Sequence, residues 1–221
     1  MAGLGRLGYA GAALAIAVLV VAQSVVHLVV VLQFHRMGTF IDLDRSNGLP
    51  DIVSTLVLAL AAIGAATVSA GESGSRRVRA TVLAFVLTLL TLADLFHDGA
   101  HPSSATGRYV IALVALTAAL LGILAFGAGT RARVTLALAV LVLASSFIVT
   151  GLDRLNHRFE RARGERTAEY EIVAKEGFEL LGWALVALAL WDEALRLRRS
   201  LVTVPTARAS RAPAPSRRRA A

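Results

Sequence analysis

Residues 7–34 read LGYAGAALAIAVLVVAQSVVHLVVVLQF, a run without a single Asp, Glu, Lys or Arg. A helix crossing the ~30 Å hydrocarbon core of a bilayer needs about 20 apolar residues. This stretch is therefore long enough to span with tilt. Only Arg6 precedes it, and no clear small-x-small cleavage site follows. Its apolar stretch is about twice the length of a secretory h-region, so it reads as a retained helix.

Similar runs recur outward from it. Residues 52–71, 109–130 and 134–152 are uncharged or nearly so, and a third run from residue 80 is interrupted by Asp94. The last run is short: only 180–191 is uncharged, about 18 Å of helix. To cross, it must continue back through Glu179, Glu176 and Lys175 to about residue 171. The sequence predicts an all-α fold, a polytopic transmembrane helical bundle of six spans at about 8–34, 52–71, 79–98, 109–129, 134–154 and 171–193. These form one domain over residues 1–199. Residues 200–221 read as a disordered Arg/Pro/Ala-rich cytoplasmic tail.

Composition agrees. Of the 221 residues 56% are hydrophobic and only 17% charged, against roughly a quarter charged in soluble domains. There is no Cys. A disordered chain, a soluble enzyme and a disulfide scaffold are excluded. The net charge of +8 raises the question of a nucleic-acid partner. Five of those charges sit in the tail, as Arg208, Arg211, Arg217, Arg218 and Arg219, with no aromatic residue to stack on bases. The tail reads as a contact for anionic lipid headgroups, with no nucleic acid partner.

Orientation follows from Lys and Arg on alternate sides. The side holding Arg6, Arg76, Arg77, Arg79, Arg131, Arg133, Arg196, Arg198, Arg199 and the tail carries a net +11, and the other side −3. Both termini are thus expected in the cytoplasm. Arg stands almost everywhere that Lys could, and Ala is abundant, which points to a GC-rich bacterial genome and a bacterial cell (inner) membrane. At the start of the second span, Pro50 suits a first helical turn and Asp51 the positive end of the helix.

Ionisable groups within hydrocarbon are costly and need partners. Here they recur at helical spacing. The third span carries Thr88, Thr91, Asp94, Asp98 and His101, with His97 alongside; the fifth carries Ser146, Thr150, Asp153, His157 and Glu160. On the sixth, Glu169, Glu176 and Glu179 share a face with Gly182, and Glu171 is spaced to pair with Lys175. The first span has Gln23 and His27 one turn apart. The fourth has almost nothing polar beyond Thr117 and reads as a lipid-facing scaffold. From the cytoplasmic ends, Glu179 lies at about 20 Å, Asp94 about 21 Å, Glu176 and Gln23 about 24 Å, Asp153 about 28 Å and His27 about 30 Å. A polar pocket in the outer half of the bilayer is expected, lined also by His157.

Carboxylates with imidazoles are ligands for zinc or another divalent metal, and His97 with His101 have the i,i+4 spacing that aims two rings at one point. Asp94, His97, Asp98 and His101 are the candidate metal ligands, and Glu176 or Glu179 the candidate catalytic base toward a metal-bound water. The same residues also read as an interfacial polar cap, Glu176 and Glu179 as partners of Lys175 or Arg154, and His27 as a hydrogen-bonded core residue. No Gly-rich phosphate loop and no Gly-x-Ser-x-Gly elbow is present. Trp183 fits helix packing, and Trp191 an interface anchor.

Three motifs occur in order: IDLDRSNGLPD with Asp42, Asp44, Asn47 and Pro50; ADLFHDGAH with Asp94, His97 and Asp98; and KEGFELLGW with Glu176, Glu179 and Gly182. In this the chain resembles a family of uncharacterised bacterial multi-spanning membrane proteins with an LD…NxP stretch, a His-acid step and an ExxExxG opening to the last helix. Members more often carry an Asp-Glu pair where this chain has Thr91 and Leu92. The resemblance implies the multi-spanning architecture and no particular reaction. Function stands between three classes: an accessory or scaffold protein, a membrane-embedded metal-dependent hydrolase acting on a lipid or exported substrate, and a proton- or cation-coupled carrier. A carrier would usually show paired broken helices or an internal repeat, and the sequence has neither.

Overall fold

Long runs of Ala, Leu and Val with few breakers can satisfy every backbone group only as helices when no water is at hand. A computed structural model, which describes residues 2–29, 49–95, 117–123, 127–156 and 165–209, is helical wherever these residues form a regular element. Side chains are described at 8–29, 52–95, 117–123, 127–146 and 173–200. The helices are α1 (Ala2–Leu28), α2 (Leu49–Gly71), α3 (Gly74–Leu95), α4 (described at 117–123), α5 (Thr130–Asn156) and α6 (Glu165–Ala209). Three are long and apolar enough to cross a membrane: Gly8–Leu28, Ile52–Gly71 and Gly74–Leu95. They correspond to the first three runs read from the sequence.

Pro50 lies in the first turn of α2, where its missing N–H leaves no gap in the ladder. Only Glu72 and Ser73 separate α2 from α3, and Gly74 opens α3 at φ +58°, a conformation a side chain would disfavour. The two helices are therefore antiparallel neighbours. Ser69 and Thr81 meet hydroxyl to hydroxyl at 2.6 Å beside this turn.

Helix α6 is the axis of the bundle, packed by α1, α2 and α5, while α3 lies against α2. The core is built from α2 (Leu58, Ala61, Ala65, Val68), α3 (Ala80, Leu83, Leu87) and α6 (Trp183, Val186, Leu190, Ala194), with Leu136, Ala139 and Leu143 from α5. Small residues set these approaches, as in membrane helix pairs where Gly and Ala let backbones come close. A methyl added at Gly64 would stand 3.1 Å from Leu190 Cβ, at Gly71 3.3 Å from Leu197 Cβ, and at Gly182 2.5 Å from Leu143 Cγ. The wide outer faces stay apolar and exposed, for example Leu14, Val18 and Val21 on α1 and Phe85 on α3.

Two features differ from the sequence reading. Thr117 and Leu121, one turn apart on α4, are buried, so the described part of this helix packs inward along one face rather than standing as a purely lipid-facing scaffold. Helix α6 also continues past residue 199 to Ala209, into the segment read as tail. At 45 residues it is about 67 Å long, over twice the ~30 Å hydrocarbon thickness.

Gly182→Ala should lower stability by roughly 1–3 kcal/mol, the usual range for overpacking a filled core. Thermal unfolding of the detergent-solubilised protein reads it. Adding Leu143→Ala should relieve the clash, so that the double variant is no less stable than Leu143→Ala alone.

Candidate functional site

The tight α2–α3 turn makes the start of α2 and the end of α3 neighbours at the far end of the pair. Thr55 on α2 there donates its hydroxyl to Asp94 Oδ2 at 2.6 Å. This bond and the Ser69–Thr81 contact belong to one pairing register, so the helices are pinned by polar pairs near both ends. Glu179 of α6 comes within electrostatic reach of Asp94, as well as of its own neighbours Glu176 and Lys175. Asp94 and Glu179, far apart in sequence, are thus brought to one end of the bundle by α2 lying between α3 and α6.

The rest of that end is built by α6 and its other two neighbours. Lys175 Nζ pairs with Glu176 Oε1 at 2.7 Å; the Glu171 side chain lies outside the described residues. Ser146 of α5 is buried and donates to the Lys175 carbonyl at 3.2 Å. On the α1 side, Gly177 leaves room for Ser24 and Val20, 3.6 and 3.9 Å from where its methyl would stand. Gln23, half-buried, and His27, fully buried, arrive at the same end on α1.

Some candidates fall elsewhere. Thr88 and Thr91 donate their hydroxyls to Ala84 and Leu87 carbonyls of their own helix, each at 2.8 Å, the common resting state of a hydroxyl inside a helix. Asp153 lies in the last turns of α5, where the backbone alone is described. His97, Asp98, His101 and His157 lie outside the described residues. Among the described residues, no three His, Cys, Asp or Glu side chains stand close enough to hold a metal ion. Asp94 and Glu179 supply carboxylate oxygens at this end, and His27 is the imidazole among the described residues there.

No family model, curated protein or solved structure matches the chain. Functional reading therefore rests on the geometry.

Sequence reasoning missed two parts of it. Thr55 is the first, a lone hydroxyl at the start of an apolar helix. The second is a polar hub at the opposite end of the bundle. Glu193 there is 4% exposed. It accepts from Arg196 Nε at 2.7 Å and Nη2 at 2.5 Å, from the Gly129 backbone N–H at 3.1 Å, and from Arg76 Nη2 at 3.4 Å. Arg76 in turn reaches Glu72 at 2.7 Å. One carboxylate thus joins α3, the start of α5 and α6. Nearby, Arg131 stacks over the Tyr9 ring at 5.0 Å and faces Asp192 at 3.9 Å, while Tyr9 and Thr135 share a hydrogen bond between α1 and α5. The i,i+3 spacing of Glu193 to Arg196 and the i,i+4 spacing of Glu72 to Arg76 were the available signals.

A double-mutant cycle on Thr55→Val and Asp94→Asn should give a coupling energy of about 1 kcal/mol or more, since the partners are in direct contact. Additive losses in thermal stability would show that the bond does not hold the helices.

Glu193→Ala should cost roughly 1–3 kcal/mol, because it removes a buried acceptor shared by three donors while the arginines it leaves stay partly exposed. Asp192→Asn, which breaks a longer and more exposed pair, should cost no more than about 1 kcal/mol. Unfolding of the two purified variants in the same detergent compares them.

Proposed function

We propose that the chain is a multi-pass protein of a bacterial inner membrane, with six spans and both termini in the cytoplasm, acting as a non-catalytic accessory or scaffold. The observation that carries this reading is how the acids at the Asp94 end are engaged. Asp94 takes the Thr55 hydroxyl and Glu176 takes Lys175. The first of these bonds fixes the register of α2 against α3, a structural use of the acid rather than a catalytic one. The three apolar helices support the membrane assignment, and the charge asymmetry supports the orientation. The Arg-rich tail is then a contact for anionic headgroups on the cytoplasmic side. Membership of the bacterial multi-spanning family that the motifs resemble is part of the same reading.

One observation favours a second reading, the metal-dependent hydrolase. Asp94 and Glu179 converge from separate helices, and Asp94 sits one turn before the His97–Asp98 step. In that case Asp94, His97, Asp98 and His101 would ligate the ion, and Glu176 or Glu179 would take a proton from its water.

Metal analysis of the full-length protein, purified without chelator, separates the two. The scaffold reading expects no stoichiometric divalent ion and a fold that survives Glu179→Gln, since the amide keeps the carboxylate's size and removes only its charge. About one zinc per chain, lost in Asp94→Asn, would favour the hydrolase instead. In the same strains, a fluorescent reporter fused at the carboxyl terminus should light up, whereas alkaline phosphatase fused there should stay inactive. The reverse pattern would overturn the orientation.

A further inference from the structure

The last turn of α2 is bordered by an arginine on each side. Ser69 donates to the Arg77 carbonyl at 3.4 Å, which sets the start of α3 against that turn. Gly71 receives Leu197 of α6, whose Cβ would lie 3.3 Å from a methyl on the glycine, so Arg198 follows directly beside it. Both arginines are exposed. The acids described at this end are already engaged: Glu72 by Arg76, Asp192 by Arg131, and Glu193 by Arg196 and Arg76. Among the described residues no carboxylate faces Arg77 or Arg198, and the excess of positive charge is concentrated here.

Between these arginines an apolar stripe runs up the outward face of α2. Leu56, Leu60 and Ile63 are 58%, 49% and 53% exposed, and the face continues through Thr67 to Ala70. The spacing keeps all five residues in one line along the helix. Trp191 stands along one edge of this stripe, its indole N–H donated to the Leu60 carbonyl at 3.1 Å. From Leu56 to Ala70 the stripe is about 21 Å long. That exceeds the ~15 Å depth of one leaflet, half of a ~30 Å core.

We propose that Arg77 and Arg198 together hold the phosphodiester headgroup of an anionic phospholipid whose acyl chain lies along the exposed stripe of α2. Two guanidinium groups offer the planar donor pairs that match phosphate oxygens. A zwitterionic choline headgroup would bring a cation against them, so the site selects net negative lipid. The occupant is a lipid rather than soluble phosphate because the charged pair and the apolar stripe are continuous. The placement of this end at a headgroup surface rests on the membrane reading above. The site belongs to the folded bundle and is independent of the Arg217–Arg219 tail.

The test is lipid selectivity of the full-length chain in nanodiscs of phosphatidylcholine, with and without phosphatidylglycerol, read as the lipid retained in native mass spectrometry. The wild-type chain should retain phosphatidylglycerol preferentially, and Arg77→Gln with Arg198→Gln should reduce that preference on the order of ten-fold or more. Each single variant should lose part of it, so the result does not hang on the folding of the double variant. Arg77→Lys with Arg198→Lys should keep most of the charge-dependent part, and Gln at Arg217, Arg218 and Arg219 should lower the preference by less than the Arg77/Arg198 pair does. Unchanged selectivity in the double Gln variant, loss confined to the tail variant, or displacement of the lipid by millimolar inorganic phosphate would each overturn the proposal. The reporter fusions fail separately: they report the side of the membrane and are blind to which lipid is retained.

Discussion

A carboxylate in apolar surroundings must find a partner inside the protein, and α6 imposes that demand twice. Its uncharged stretch, residues 180–191, is bounded by Glu176 and Glu179 at one end and by Asp192 and Glu193 at the other. The stretch is about 18 Å long, well short of a ~30 Å apolar layer. Of these acids Glu193 is withdrawn from water, at 4% exposure. Leaving such a charge unpaired costs several kcal/mol, so other helices have to bring donors to it. At the Glu193 end other helices meet that need: α3 brings Arg76 and the start of α5 brings the Gly129 N–H.

Close approach is what makes those donors reach. A hydroxyl or a backbone N–H is short, unlike an Arg side chain, and works only if its helix comes near. Gly64, Gly71, Gly177 and Gly182 lie where α6 meets α2, α1 and α5. Ala61 and Ala65 on α2 and Ala187 and Ala194 on α6 continue the pattern. The apolar packing and the polar pairs are therefore one design. Filling a glycine would separate helices whose acids depend on the contact, so packing strain and lost hydrogen bonds would arrive together.

Much of this was legible in the sequence, for reasons that differ by element. Helices α1, α2 and α3 are plain because long uncharged runs have no other stable form in an apolar layer. The approach of Asp94 to Glu179 was legible from depth alone: both lie near 20 Å along their helices, and groups at equal depth in one bundle meet if they face inward. Thr55 was not legible, because a threonine in an apolar helix can always bond its own preceding turn, as Thr67 does with Ile63. Only the α2–α3 register tells Thr55 to turn toward Asp94 instead. Glu193 gives no such signal, because a charged residue at a helix end is ordinarily solvated. Its burial depends on the turn at Gly129 folding over it, a tertiary event that no local pattern encodes. Thr117 looked like a stray hydroxyl on a lipid-facing helix for the same reason.

The two polar ends are not equivalent, and the difference lies in the donors. Glu193 is met by two guanidinium groups and a backbone N–H, so its charge is neutralised as well as hydrogen-bonded. Charge-assisted bonds of this kind are short, directional and roughly twice as strong as neutral ones. Asp94 is met by a hydroxyl, which donates a proton but cancels no charge. Lys175 is the one cation described beside Asp94 and Glu179, and it is drawn to Glu176 at 2.7 Å. The Glu193 end is thus a closed clasp whose every bond opposes movement. At the Asp94 end, register is held by weaker bonds and the acids keep their field. Of the two, it is the end whose electrostatics a small change in helix position would alter most.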